Sequence, residues 1–501
     1  MYYLKFLLMT TLNLKLLNTY IPSPLHWRGS GEVKKVLNNT TIYCTYYLSG
    51  RIALILLILG YLMALSPEMV SARDFMGEGY TLNLKAKHKN KGIPTYISPN
   101  QFEGSDIDRI QKAIDFAAKT RHKMVIPGIN SNGTNCWIID RAILLPPNMT
   151  IILDNCTIQL SDLCRDNMFR SENVGVGIEH PVRIRNINMV GIGNVILKGA
   201  VNPRATGDAY RVLVPDKEPK GRKSYGSDAN KAHEKQRGDW RNNLIQIAMV
   251  DSFVLRNVTI ENSHAWAISF ERTQNAEISS IRFNNPEYIN INGEKFKVFN
   301  KDGINLRHGC KYFRINDISG VNGDDLIALT CLDLNSSFPS KSDTSTYYRN
   351  GDVNSYQVTS TKWNGPEDDT EQVYITNCQT NYCGVAIRAG GSAGIHHVYV
   401  NGVITSARPD TPPPYHGSPY TLCVRGKGYG EPSIPGKIHH IYGTNLTGDG
   451  LSLILVEAPI YDCQFLNGIY SGQAPAAITY NMNRAETKNV IEVNLIKIPA
   501  E

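Results

Sequence analysis

Three carboxylates in one short stretch are the residues here most able to do chemistry. Asp302 lies in Asn300-Lys301-Asp302-Gly303, and Asp324 and Asp325 lie in Gly323-Asp324-Asp325, 22 positions from the first. The residues between are short β-prone pieces, Tyr312–Ile315 and Ile318, punctuated by Gly and Asn. This spacing predicts one coil of a solenoid, and strands one coil apart lie roughly 5 Å from each other. Carboxylates gathered that closely resist ionising together, so one keeps a proton and serves as an acid beside an ionised neighbour. Asp-Gly and Asn-Gly also form turns. Turn formation does not, however, account for a doubled Asp running into the apolar Leu326-Ile327-Ala328-Leu329.

Such a site needs a solenoid to hold it, and the remaining sequence is patterned as one. Short β runs follow one another from Lys123 to Phe465, separated by Asn, Gly or Ser, with no helical pattern between them. Related phrases recur: Val258-Thr-Ile-Glu-Asn262, Val373-Tyr-Ile-Thr-Asn377 and Val398-Tyr-Val-Asn401. Recurrence of this kind predicts an all-β fold, a single right-handed parallel β-helix in which each coil buries its face on the next. A β-sandwich or propeller is the alternative. Ahead of the first strand, Ser105–Ala118 predicts a helix: Ser105 is placed to cap it with Asp108 three residues on, and Ile107, Ile110, Ile114 and Ala117 share one face. It would cover the first coil, whose apolar edge is otherwise open.

The chain of 501 residues is 42% hydrophobic and 19% charged, enough for a substantial core. Its formal charge is +7. Residues 1–72 contribute +4 of that, from six basic and two acidic side chains, so residues 73–501 carry +3. That balance argues against nucleic acid as a partner. The run from Arg51 to Leu65, ending in Val70-Ser71-Ala72, has the layout of a secretory signal peptide. The expectation is therefore an exported chain, secreted or periplasmic, beginning near Arg73, with residues 73–501 as one domain. An uncleaved anchor is the other reading, and the apolar run is short for a membrane span. Nine cysteines follow residue 72 without a CxxC pair, which excludes a structural zinc site and leaves one or two disulfides open. Two long polar segments, 203–241 and 332–371, interrupt the β pattern and are expected to wall a cleft.

The order of motifs resembles glycoside hydrolase family 28, the polygalacturonase family. Asn262-Ser263-His264-Ala265-Trp266 resembles its Asn-Ser-x-x-Trp phrase, Asn300–Gly303 its Asn-Thr-Asp-Gly, and Gly323–Asp325 its Gly-Asp-Asp. The likeness covers roughly residues 105–465. It departs at Asn381-Tyr382-Cys383-Gly384, where the family carries Gly-His-Gly. The family's Arg-Ile-Lys corresponds to Arg425-Gly426-Lys427, and Arg388 competes for the same role. The resemblance implies an inverting hydrolysis, with Asp324 protonating the leaving oxygen while Asp302 and Asp325 activate water. Arg388, Arg425 and Lys427 are candidates to hold a uronic-acid carboxylate, since Arg offers two parallel hydrogen bonds. Tyr382 or Trp266 is a candidate to stack on a sugar. The expected partner is an acidic, uronic-acid-containing polysaccharide, handled by a monomer without metal or other cofactor. Two rivals stay open: a calcium-dependent lyase on the same fold, and a non-catalytic glycan-binding β-helix.

Overall fold

A computed structural model of the chain describes residues 96–162, 164, 166–175, 178, 180–201, 239–263, 265–286, 288–291, 294–297, 302–333, 357–359, 363–406, 420–426 and 432–499. All of them fall in one unit, Ile93–Glu501. The signal-like run, most of both polar interruptions, and Lys427 lie outside the described residues.

The helix forms where the sequence places it, at Asp106–Ala118. Ser105 caps it: its side chain accepts from the Asp108 backbone while the Asp108 carboxylate takes the Ser105 N–H. Ile107, Ile110, Ala113, Ile114 and Ala117 are buried and join Met124, Trp137 and Ile139 in the core that runs through the whole solenoid.

The chain then winds as a right-handed parallel β-helix. Among the described residues, strands assemble into one parallel sheet of 14 strands and a second of 10, beside a two-stranded hairpin, Tyr288–Ile291 with Glu294–Lys297. Each coil contributes one long strand to the first sheet and one short strand to the second. The long strands Val250–Glu261, Gln274–Asn284, Lys311–Val321, Thr370–Thr380, Ile395–Thr405, Ile438–Gly448, Tyr461–Tyr470 and Lys488–Lys497 stack in order. The winding therefore continues past Phe465, where the sequence pattern had been taken to stop. The apolar run weakens there because Lys488–Lys497 is largely exposed, with Ile491 and Val493 about half exposed.

Each long strand bends at two corners five residues apart, and the corner residues stack. One column is Ser252, Asn275, Tyr312, Gln372, His397, His440, Asp462 and Asn489. The other is Asn257, Ser280, Asp317, Asn377, Gly402, Asn445, Asn467 and Asn494. All have φ between 46° and 70°, the left-handed region that Asn and Gly enter at least cost. The separating asparagines of the sequence are these corners. Two recurring phrases, Val373–Asn377 and Val398–Asn401, lie in direct register; Val258–Asn262 occupies the far segment of its own strand. All nine described cysteines are free, and eight are buried. They serve as small core side chains.

Candidate active site

The short strands bring the carboxylates together. Ile304–Leu306, Ile327–Leu332, Val385–Gly390 and Tyr420–Val424 stack with Ile304 on Ile327, Ile327 on Val385 and Val385 on Leu422. Two residues ahead of these four stacked positions lie Asp302, Asp325, Cys383 and Tyr420, one column at the mouth of the sheet. Backbone bonds fix it: Gly303 N–H donates to Asp325 O at 2.9 Å, Leu326 N–H to Cys383 O at 3.0 Å, and Gly384 N–H to Tyr420 O at 3.1 Å. The coil from Asp302 is thus 23 residues long. Asp302 stacks on Asp325 rather than on Asp324, a one-residue shift from the spacing read in the sequence. Gly303 is required here, because a Cβ would sit 2.5 Å from Leu326 O.

The three carboxylates differ in environment. Asp325 is fully buried and held on both oxygens. Arg388 Nη2 donates to Oδ2 at 3.2 Å, and the Tyr420 hydroxyl donates to Oδ1. Tyr420 is also fully buried, with the Arg425 guanidinium 4.7 Å from its ring centre; Arg425 Nη2 donates to its hydroxyl at 3.0 Å. Arg425 Nη1 lies 3.8 Å from Glu457. A chain of alternating partners, Glu457–Arg425–Tyr420–Asp325–Arg388, therefore runs beneath the site. It fixes the orientation of the Asp325 carboxylate through a hydrogen bond on each oxygen.

Asp302 is 4% exposed and accepts from Asn305 Nδ2 at 3.0 Å. Burial, followed by the charges of Asp324 and Asp325, pushes its pKa well above the usual carboxylate range, with Arg388 and Asn305 opposing. Asp324 is only half-buried. An oxygen of Asp324, an oxygen of Asp325 and Cys383 Sγ lie within 4.8 Å of one another. Burial and then the two aspartates also raise the Cys383 thiol well above its ordinary value, so it stays protonated.

The four remaining described candidates are placed differently. Arg388 reaches the site but spends its contact on Asp325, so it positions a carboxylate of the protein itself. Arg425 is partly exposed and bonds the Tyr420 hydroxyl. Tyr382 is half-buried and packs on the Cys383, Ala386, Tyr420 and Cys423 cluster. Trp266 stands one coil before Asp302 with the Arg307 guanidinium 4.8 Å over its ring. Tyr420 is not among the residues that the sequence singles out. Its one visible signal is an aromatic residue heading the apolar run that ends at Arg425.

Against this geometry, residues 220–338 match the family model described as Glycosyl hydrolases family 28. That segment contains Asp302, Asp324 and Asp325. The chain resembles family 28. Solved structures with this fold include an exopolygalacturonase from Thermotoga maritima (14% identity, 80% of this chain and 92% of that one, TM-score 0.46). A polygalacturonase from Erwinia carotovora ssp. carotovora follows at 15% identity, with 82% and 97% covered and a TM-score of 0.42. An endo-xylogalacturonan hydrolase from Aspergillus tubingensis gives 9% identity, 79% and 89% covered, and a TM-score of 0.47. No curated protein sequence matches. The family 28 segment stops at residue 338, so Arg388, Tyr420 and Arg425 lie beyond the match.

Proposed function

We propose that this chain is an exported glycoside hydrolase that cleaves an acidic, pectin-type polysaccharide with inversion. The observation that carries the reading is the column itself: Asp302 and Asp325 stack on adjacent coils with Asp324 beside them, and Asp325 is held on both oxygens by Arg388 and Tyr420. Glycoside hydrolysis needs carboxyl groups gathered in this way, one to give a proton and one to activate water. Asp324, the least buried, is the member placed to pass a proton to a leaving oxygen on the open side. Asp325, fixed by Arg388 and Tyr420, is the base toward water, and Asp302 completes the set from below. A family 28 match over the aspartates supports the reaction class, and the names of the similar structures support a polygalacturonate-like substrate. Export rests on the apolar run after Arg51.

The calcium-lyase reading fits this site less well. Calcium takes six to eight oxygen ligands, whereas the donor set beside Asp324 and Asp325 includes a protonated thiol, and Asp325 already faces an arginine. Incubation with pectic and other acidic glycans decides the matter. New reducing ends without an ultraviolet-absorbing double bond support hydrolysis. An unsaturated product would establish a lyase, and oligosaccharide binding without turnover at any pH would leave a binding module.

A further inference from the structure

Far from the carboxylates in sequence and on the other sheet, two adjacent histidines recur in register on successive coils. His396-His397 lies on Ile395–Thr405 and His439-His440 on Ile438–Gly448, with His396 paired to His439. Adjacent residues in a strand normally point to opposite faces. Here they do not, because His397 and His440 occupy the left-handed corner, with φ of 53° and 54°. The corner turns each second ring back toward the first. Nδ1 of His396 lies 2.9 Å from Nδ1 of His397, and the corresponding separation in His439-His440 is 2.7 Å. Within each pair the rings are nearly perpendicular, at 81° and 79°. Between coils they stack, with centres 4.6 Å apart in both columns. None of the four is fully buried.

We propose that each histidine pair is a two-nitrogen chelate for a divalent transition-metal ion. Two nitrogens about 2.1 Å from one metal are about 3.0 Å apart at right angles and about 3.4 Å apart at a tetrahedral angle. The observed 2.7 and 2.9 Å fit the right-angled, cis arrangement of Cu²⁺ and Ni²⁺ rather than tetrahedral Zn²⁺. Without metal, one Nδ1–H of each pair donates to the other nitrogen; binding releases that proton and leaves both lone pairs on the ion. The surroundings favour a cation: a Glu371 oxygen lies 3.6 Å from His396 Nδ1, and an Asp369 oxygen 3.8 Å from His396 Nε2. Lys311 opposes, paired with Glu371 at 2.5 Å. Water completes the coordination. Two dications as close as the stacked rings repel strongly even in water, so the second ion binds roughly a hundredfold more weakly than the first.

Titration calorimetry of the tag-free, full-length chain with CuCl₂, NiCl₂ and ZnCl₂ tests this, with affinity expected to rank Cu²⁺ over Ni²⁺ over Zn²⁺ and a first stoichiometry of one ion per chain. The informative variant is His397→Asn with His440→Asn. Asn is the commonest residue at these corners, so the coil is kept while one nitrogen of each chelate is removed. It should lose at least tenfold in Cu²⁺ affinity with an unchanged melting temperature in the absence of metal. Electron paramagnetic resonance of the Cu²⁺-loaded wild type should show two coupled nitrogens. Equal Cu²⁺ affinity in wild type and the double variant would overturn the proposal, as would a Cu²⁺ spectrum without two coupled nitrogens.

Discussion

Replacing Asp302 by Asn tests whether the column stores electrostatic strain, because it should raise stability while abolishing turnover. The amide oxygen of Asn can keep the bond from Asn305 Nδ2, so shape and that hydrogen bond survive. In the folded wild type, Asp302 holds its proton at pH values where the unfolded chain has released it, since its pKa is raised by burial and by Asp324 and Asp325. The folded state thus binds more protons, and rising pH removes stability until the folded pKa is passed. The variant has no such loss. The stability difference should open above the ordinary carboxylate pKa of about 3.9, grow by at most about 1.4 kcal/mol per pH unit, and then level off. With an unfolding entropy near 2.1 cal/mol/K per residue over the roughly 400-residue unit Ile93–Glu501, that slope is about 1.6 °C per pH unit. Melting curves of both proteins at half-unit steps from pH 4 to 8 read it directly, and the levelling point reports where Asp302 ionises. Turnover on the glycan identified by product analysis should fall at least 10²-fold. A difference that is flat with pH, or a variant less stable at pH 7, would show that Asp302 is an ordinary turn residue.

Four further outcomes follow from the same geometry. Asp324→Asn should lower turnover by about 10²–10⁴-fold and remove the high-pH limb of the rate profile, measured on the same glycan; wild-type rates would discard its role as acid. Tyr420→Phe deletes the hydroxyl on Asp325 and should cost about 1.5–3 kcal/mol in urea unfolding, an effect that should largely vanish in an Asp325→Asn background. Arg272→Met breaks the two 2.9 Å bonds to the buried Asp368 and should cost about 3–5 kcal/mol. Burial alone would raise the Asp368 pKa, but those bonds and the Arg272 charge lower it, so their stabilisation is present above the ordinary carboxylate pKa and fades as pH falls through the lowered one; acid melting curves check this. Gly303→Ala should be destabilised by about 1–3 kcal/mol or more, read from its melting temperature.

Much of this was legible in the sequence because it is local or periodic. Ser105 and Asp108 announce the helix, the Asn corners announce the coils, and Asp302 with Asp324-Asp325 announces the column. The one-residue register was not legible, since turn length between coils is set by how Gly303 fits under Leu326. Nor was the hold on Asp325: Tyr420 lies 95 positions away, and an aromatic residue at the head of an apolar run does not say which carboxylate it meets. The same holds for Glu271, fully buried and bonded by Gln246, Val358 and Thr359. It clamps residues 357–359, which the sequence presents only as part of a long polar interruption. Arg388 was legible as a cation near the site but not as the partner of Asp325.

The two corner columns also bear on how such a protein can diversify. They fix a spacing of five positions from corner to corner in every long strand, so an insertion there would throw a residue out of register with both neighbouring coils. Changes in length are tolerated only around the short strands, and that is where the chain varies: 285–303 and 406–419 precede a short strand, and 333–369 and 425–437 follow one. The carboxylates stand at the start of those same strands. Lineages can therefore rewrite the rim around the reacting groups by lengthening or trimming these connections, while the scaffold that aligns Asp302 with Asp325 is inherited unchanged.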